Sequence, residues 1–169
     1  MNVLISENDI RRRVHEMGLQ IDADFDGRKP VLIAVLKGAF VFLADLLREL
    51  DIMVEVDFLS IHSYEGTESS GVVRITHDLS LNIEDRDVIL VEDIIDTGRT
   101  VSYILENLRT RKPRSLVVCA LLNKEARRVV EVPLTYCGFT IPAVFAVGYG
   151  LDHDNRYRNM KYIGVLDDE

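Results

Sequence analysis

Near the start of the chain, Ile10, Val14, Met17 and Ile21 recur at helical spacing, which predicts an amphipathic helix with one buried stripe. Ser6 and Asp9 precede the stripe at capping-box spacing and mark the helix start. Gly18 interrupts the stripe and weakens the helix slightly. The pattern then changes to short, nearly unbroken apolar runs: VLIAVL from Val31, VILV from Val88, LVVCALL from Leu116 and AVFAV from Ala143. Such runs predict strands buried on both faces, as in a parallel sheet. Helical patterns separate them. After Gly38, residues Ala39, Phe40, Leu43, Leu46, Leu47 and Leu50 form a broad apolar face, and after Gly98 the residues Val101, Ile104, Leu105 and Leu108 do the same. Strand-helix alternation predicts an α/β fold, a mostly parallel sheet flanked by helices. VEVDFLSIH from Val54 alternates at first, as a strand with one less buried face does. SYEGTESSG, Ser63 to Gly71, is polar and turn-rich, and VVRIT from Val72 reads as the returning strand, so a long loop on a hairpin is expected.

Size adds one constraint to this pattern. A chain of 169 residues with 47% hydrophobic residues suits a single domain over residues 1–169, and no linker, low-complexity tract or internal repeat divides it. The amino-terminal apolar stretch is too short for a signal peptide, and no apolar run approaches the roughly eighteen residues of a membrane span. A soluble, cytoplasmic protein without a membrane partner is expected. Cys119 and Cys137 lack CxxC spacing, and Cys119 lies in an apolar run where a reduced, buried thiol is the ordinary reading. The formal charge of −8 opposes general attraction to nucleic acid. Any phosphate chemistry must therefore gather cations and amide donors locally.

The change from core to chemistry is sharpest in VILVEDIIDTGRT, Val88 to Thr100: an apolar strand, two adjacent acids, a third acid, then TGRT opening a helix. Ligands of open α/β sheets bind beyond the carboxyl ends of strands, and a helix amino terminus presents unpaired N–H groups to a phosphate. Asp96 to Thr100 suits such a cradle. The same residues also suit a plain helix start with Asp96 or Thr97 as N-cap. Other nucleotide motifs are missing: there is no GxxxxGK[ST], and Gly148 and Gly150 lack a third glycine and a following helix. His15-Glu16 does not extend to HExxH. On residue type alone, Phe145 reads as core and Lys124 as surface.

VILVEDIIDTGRT resembles the signature by which type I phosphoribosyltransferases bind phosphoribosyl pyrophosphate (PRPP), and its EDIID form resembles the hypoxanthine-guanine branch. VLKGAFVFLADLL from Val35, SYEG from Ser63, NKEARR from Asn123 and the segment from Ile141 to Arg158 agree with the family in the same order. The resemblance implies the type I fold, with a small hood and a flexible loop over the active site. It implies transfer of phosphoribosyl from PRPP to a 6-oxopurine base, Mg²⁺ as cofactor, and a homodimer or homotetramer. Glu92 and Asp93 match the acids on the ribose hydroxyls and Mg²⁺. Asp152 matches a second magnesium-associated acid near the purine. Asp96 matches the catalytic acid at the purine imidazole, while Asp96, Thr97, Gly98, Arg99 and Thr100 match the PRPP-binding turn. Leu36, Lys37 and Gly38 match a pyrophosphate-binding loop whose first peptide is often cis; Ala39 stands where a glycine is common. Arg158 matches a pyrophosphate-binding arginine. Lys124 matches the donor to O6, Phe145 the aromatic stacked on the base, and Ala146 a residue whose backbone reads the ring edge. Ser63 and Tyr64 match the loop that closes over the site. A regulator of the same fold that binds RNA and an enzyme preferring xanthine are the competing readings; the acidic charge opposes the first.

Overall fold

A computed structural model of the chain describes residues 1–63 and 73–166. Its centre is a six-stranded sheet built from β2 (Val31–Leu36), β3 (Glu55–Ser63), β4 (Val73–His77), β5 (Asp87–Ile95), β6 (Ser115–Asn123) and β7 (Leu134–Thr140), in the order β4-β3-β2-β5-β6-β7. All neighbours are parallel except β3 and β4, which pair antiparallel as the expected hairpin. The turn-rich segment it carries, including Tyr64, lies outside the described residues; of Ser63 the backbone ends β3. A smaller antiparallel sheet joins β1 (Asn2–Ile5), β9 (Ile163–Val165) and β8 (Ala146–Val147).

The unbroken apolar runs follow from burial on both faces of the large sheet. Along β5, Ile89 and Val91 join the apolar cluster of α1 (Glu7–Asp24) and α2 (Phe40–Arg48), whereas Val88 and Leu90 join that of α3 (Arg99–Arg109). Alternate side chains thus feed two cores on opposite faces. The predicted stripe of α1 is buried at Ile10, Val14, Met17 and Ile21, and the Ser6 hydroxyl caps the helix by accepting the Asp9 N–H at 3.2 Å. Gly18 is accommodated by a close approach: a Cβ there would stand 2.8 Å from the Glu49 carbonyl oxygen.

One reading changes. AVFAV does not form a strand of the main sheet: only Ala146 and Val147 are extended, they pair with β9, and Phe145 is 51% exposed. An apolar run cannot distinguish a doubly buried strand from a segment whose apolar groups await something outside the chain. The edge strand β7, LTYCGFT, has mixed burial and carries too weak a pattern to be found by periodicity.

At the opposite end of the sheet from the chemistry, Asp87 ties the start of β5 to the start of β6. Its carboxylate is buried, accepts the Ser115 hydroxyl at 2.6 Å and the Arg114 guanidinium, and has Arg28 at 3.8 Å. The Arg114 hydrogen bonds are the chief cause of a carboxyl held below its ordinary range. The folded value lies below the unfolded one, so this stabilisation is whole above about pH 4 and is lost as pH falls through the folded value. Asp87→Asn is expected to remove about 1–3 kcal/mol at neutral pH. Urea titrations should show the gap to wild type closing in acid; the same gap at pH 3 as at pH 7 would exclude an electrostatic origin.

Candidate active site

The strand order reverses between β2 and β5, because the chain proceeds from β2 to β3 on one side and from β5 to β6 on the other. Beyond their carboxyl ends such a pair leaves a crevice, the usual ligand position of an open α/β sheet. Here a cleft of about 270 Å³ occupies it, lined by Leu36, Gly38, Glu92, Asp93, Asp96, Thr97, Gly98 and Thr100 among others. Larger hollows lie elsewhere: about 410 Å³ beside α1 and α2, and about 480 Å³ beside β7. Neither contains paired acids facing a helix amino terminus.

On the β2 side, the Leu36-Lys37 peptide is cis, and Lys37 projects into solvent. Gly38 follows, and any side chain there would displace the Asp93 carboxylate: a Cβ would stand 1.6 Å from Asp93 Oδ2. The loop backbone and the acid of β5 therefore meet directly. On the β5 side, burial pushes the Glu92 carboxyl well up, reinforced by the charge of Asp93. Burial likewise pushes Asp93 up to about 6, against hydrogen bonds from backbone N–H groups and the positive charge of Arg158.

The turn after β5 shows which residue opens the helix in TGRT. Helix α3 begins on Gly98 in the left-handed conformation, φ 84°, and no side chain caps it. A Cβ at Gly98 would also stand 2.1 Å from the Val130 carbonyl oxygen, so conformation and space both require glycine. Gly98, rather than Asp96 or Thr97, is thus the N-cap position, and Thr97 reaches only the first helical N–H, that of Arg99. Thr97 Oγ1 lies 3.5 Å from the Arg99 nitrogen, and the Thr97 carbonyl accepts Val129 and Val130 N–H at 2.9 and 3.0 Å.

The Asp96 carboxylate turns instead toward two cations. Lys124 Nζ lies 3.5 Å from Oδ2 and Arg127 Nε 3.1 Å from Oδ1. Lys124 is buried at 6% exposure and its backbone N–H donates to the Ile95 carbonyl at 2.9 Å. Lys124 buried and Phe145 51% exposed invert the assignment by residue type. Phe145 meets His153 edge-on, ring centres 5.2 Å apart. Ala146 follows, buried in β8. Arg158 pairs with Asp152 at 2.7 Å and donates to the Gly150 carbonyl at 2.7 Å. Phe145, Ala146, Asp152, Lys124 and Arg158 do not line the cleft itself; Arg158 lines the neighbouring groove. Arg127 was not singled out from the sequence, although it sits in NKEARR; only its place on the turn after Lys124 gives it a partner.

Among the described residues, no three His, Cys, Asp or Glu side chains form a ready metal cage. The donor set nevertheless fits a hard divalent cation, because Glu92, buried, and Asp93, half-buried, are adjacent carboxylates that desolvation holds above their ordinary range. Mg²⁺ in particular takes one or two carboxylates and fills its shell with water and substrate oxygens.

The chain matches the family described as "Phosphoribosyl transferase domain" over residues 6–154. It is 46% identical over 168 residues to the "Bifunctional protein TilS/HprT" of Listeria monocytogenes, covering 99% of this chain and 26% of that one, so it spans about a quarter of that relative's length. It is 45% identical over 165 residues to the hypoxanthine-guanine phosphoribosyltransferase of Bacillus subtilis, covering 97% of this chain and 92% of the relative. A crystal structure of a hypoxanthine-guanine phosphoribosyltransferase from Bacillus anthracis superposes with a TM-score of 0.94 at 44% identity, covering 99% of both chains. With the crevice, the paired acids and the glycine-opened helix in their expected places, the chain belongs to the phosphoribosyl transferase family, in its hypoxanthine-guanine branch.

Proposed function

We propose that this chain transfers the phosphoribosyl group of PRPP to hypoxanthine or guanine, giving IMP or GMP and pyrophosphate. The observation that carries the reading is the buried Lys124 ammonium 3.5 Å from Asp96, at the mouth of the α3 amino terminus. A purine-reading donor, an acid and a phosphate cradle thereby converge. In this reading the 5-phosphate sits on the amides of Gly98 to Thr100, with the Thr97 and Thr100 hydroxyls and Arg99 beside it. Leu36, Lys37 and Gly38 hold the pyrophosphate through their backbone, and Arg158 reaches it with a fork suited to phosphate oxygens. Phe145 stacks on the base and the Ala146 backbone reads its edge. A purine ring nitrogen attacks the anomeric carbon, the bond to pyrophosphate breaks with its electron pair on the departing oxygen, and Asp96 takes the ring proton. Mg²⁺ held by Glu92 and Asp93, with Asp152 at the edge, would supply positive charge to the ribose hydroxyls and the pyrophosphate. By the resemblance of SYEG, Ser63 and Tyr64 would serve to exclude water from the reacting centre. Residues 1–169 act as one domain, in a cytoplasmic homodimer or homotetramer; among the described residues no helix is long and apolar enough to cross a membrane.

The direct test incubates the protein with PRPP, Mg²⁺ and each purine base separately and measures nucleotide formed; no product with any 6-oxopurine would refute the reading. Asp96→Asn keeps the shape but removes the basic carboxylate, so kcat should fall by roughly 10²–10⁴ with PRPP affinity little changed. Near-normal turnover would leave Asp96 without a catalytic role.

Asp93 also gives the binding step a pH dependence. Its carboxyl, pushed up to about 6 by burial, must be ionised to hold the cation, so the apparent affinity for PRPP in Mg²⁺ should rise between about pH 5 and pH 7. The ligand-free protein should do the reverse, losing stability as pH rises through about 6, because the folded value lies above the unfolded one. Asp93→Asn should flatten both profiles; isothermal titration and thermal melts across pH would show it.

Lys124 is the selector for 6-oxopurines. An ammonium has three donors and no acceptor, so it satisfies O6 and meets the adenine amino group donor to donor. Sites of this kind discriminate by up to roughly 10⁴–10⁵. Lys124→Ala should lower kcat/KM for hypoxanthine and guanine while leaving PRPP binding largely intact, narrowing the preference over adenine. A variant with its full preference would remove Lys124 from that role.

A further inference from the structure

We propose that Arg127 is a positioning residue for this reaction, holding one oxygen of Asp96 so that the other stays on the Lys124 side. The inference rests on the proposed roles of Asp96 and Lys124. Arg127 ends a short 3₁₀ turn, Glu125–Arg127, in which its N–H donates to the Lys124 carbonyl at 3.1 Å. Lys124 is the residue that opens this turn and Arg127 the one that closes it, and both cations reach the Asp96 carboxylate. The Lys124 N–H bonds to the Ile95 carbonyl, which anchors that turn directly against the strand end that carries Asp96.

The two cations divide the carboxylate between them. Oδ2 faces Lys124 Nζ at 3.5 Å and Oδ1 faces Arg127 Nε at 3.1 Å. Among the described residues Oδ1 makes no hydrogen bond, and it is shielded from water. The Arg127 contact is therefore ionic, and it is the interaction that compensates burial of that oxygen. Without it, Oδ1 has reason to rotate toward Lys124 or solvent, and both the carboxylate plane and the ammonium offered to O6 shift together. Geometry of this kind governs turnover more than ground-state binding. Arg127 itself is 54% exposed, and such pairs add little to folding stability.

The test is a double-mutant cycle on the full-length protein with PRPP, Mg²⁺ and hypoxanthine. Arg127→Ala should lower kcat about tenfold, with the KM for PRPP changed by less than about twofold and the melting temperature unmoved. Arg127→Lys should recover part of the rate and Arg127→Gln none; should the alanine variant melt early, this matched pair decides. Adding Arg127→Ala to Asp96→Asn should cause no further loss. An additive loss, full activity in Arg127→Ala and Arg127→Gln, or a raised KM for PRPP with unchanged kcat each overturns the inference alone. A wild type without turnover refutes the functional reading and the inference with it. Normal turnover in Asp96→Asn refutes the role of Asp96 and the positioning built on it.

Discussion

Parallel pairing of β2 with β5, Val31 opposite Val88 through Ala34 opposite Val91, places the two strand ends side by side, and the rest of the site is arranged around that junction. A shift of register would move every side chain to the other face, burying Asp93 in the wrong core and pulling its carboxylate away from Gly38. The doubly buried strands hold that register. Val31 to Val35 and Val88 to Val91 are each no more than 5% exposed, so a slip would expose apolar surface on both sides of the sheet at once.

Given that junction, charge governs what gathers there. The chain carries a net −8, and the crevice adds two acids, Glu92 and Asp93, that desolvation holds above their ordinary ionisation range. Attraction of the polyanionic substrate proposed above then has to come from groups brought in locally: the amides at the start of α3, the Arg158 guanidinium and the pair Lys124 and Arg127. Those cations are already paired with Asp96 and Asp152. Each functional cation is thus oriented by an acid of the same site, which limits the entropy lost when a ligand arrives.

Much of this was legible before any coordinates. Strands at Val31, Val88 and Leu116, the helices after Gly38 and Gly98, the hairpin from Val54 and the Ser6 cap all stand where spacing predicts. Each rests on a local rule, apolar period or capping chemistry, which a linear string carries in full. The acids of EDIID and the glycine of TGRT were legible as candidates for the same reason, a sudden break from core to polar residues at a strand end.

Other features have no local signature. That Asp96 is not an N-cap depends on Gly98 fitting against the Val130 carbonyl, 32 residues further along. That Lys124 is buried and Phe145 exposed reverses what each residue type prefers by itself, because their surroundings come from distant segments. Arg127 acquires a role only when its turn folds back on Asp96. The sequence by itself determined most strands and helices of the main layers, their order and the residues able to do chemistry, since these follow from hydrophobic period and residue type over a few positions, whereas β7 and the short pairing of Ala146 and Val147 do not. Only the tertiary structure decided which of those residues meet and how each is charged, because burial and pairing depend on neighbours that the chain brings together through its fold.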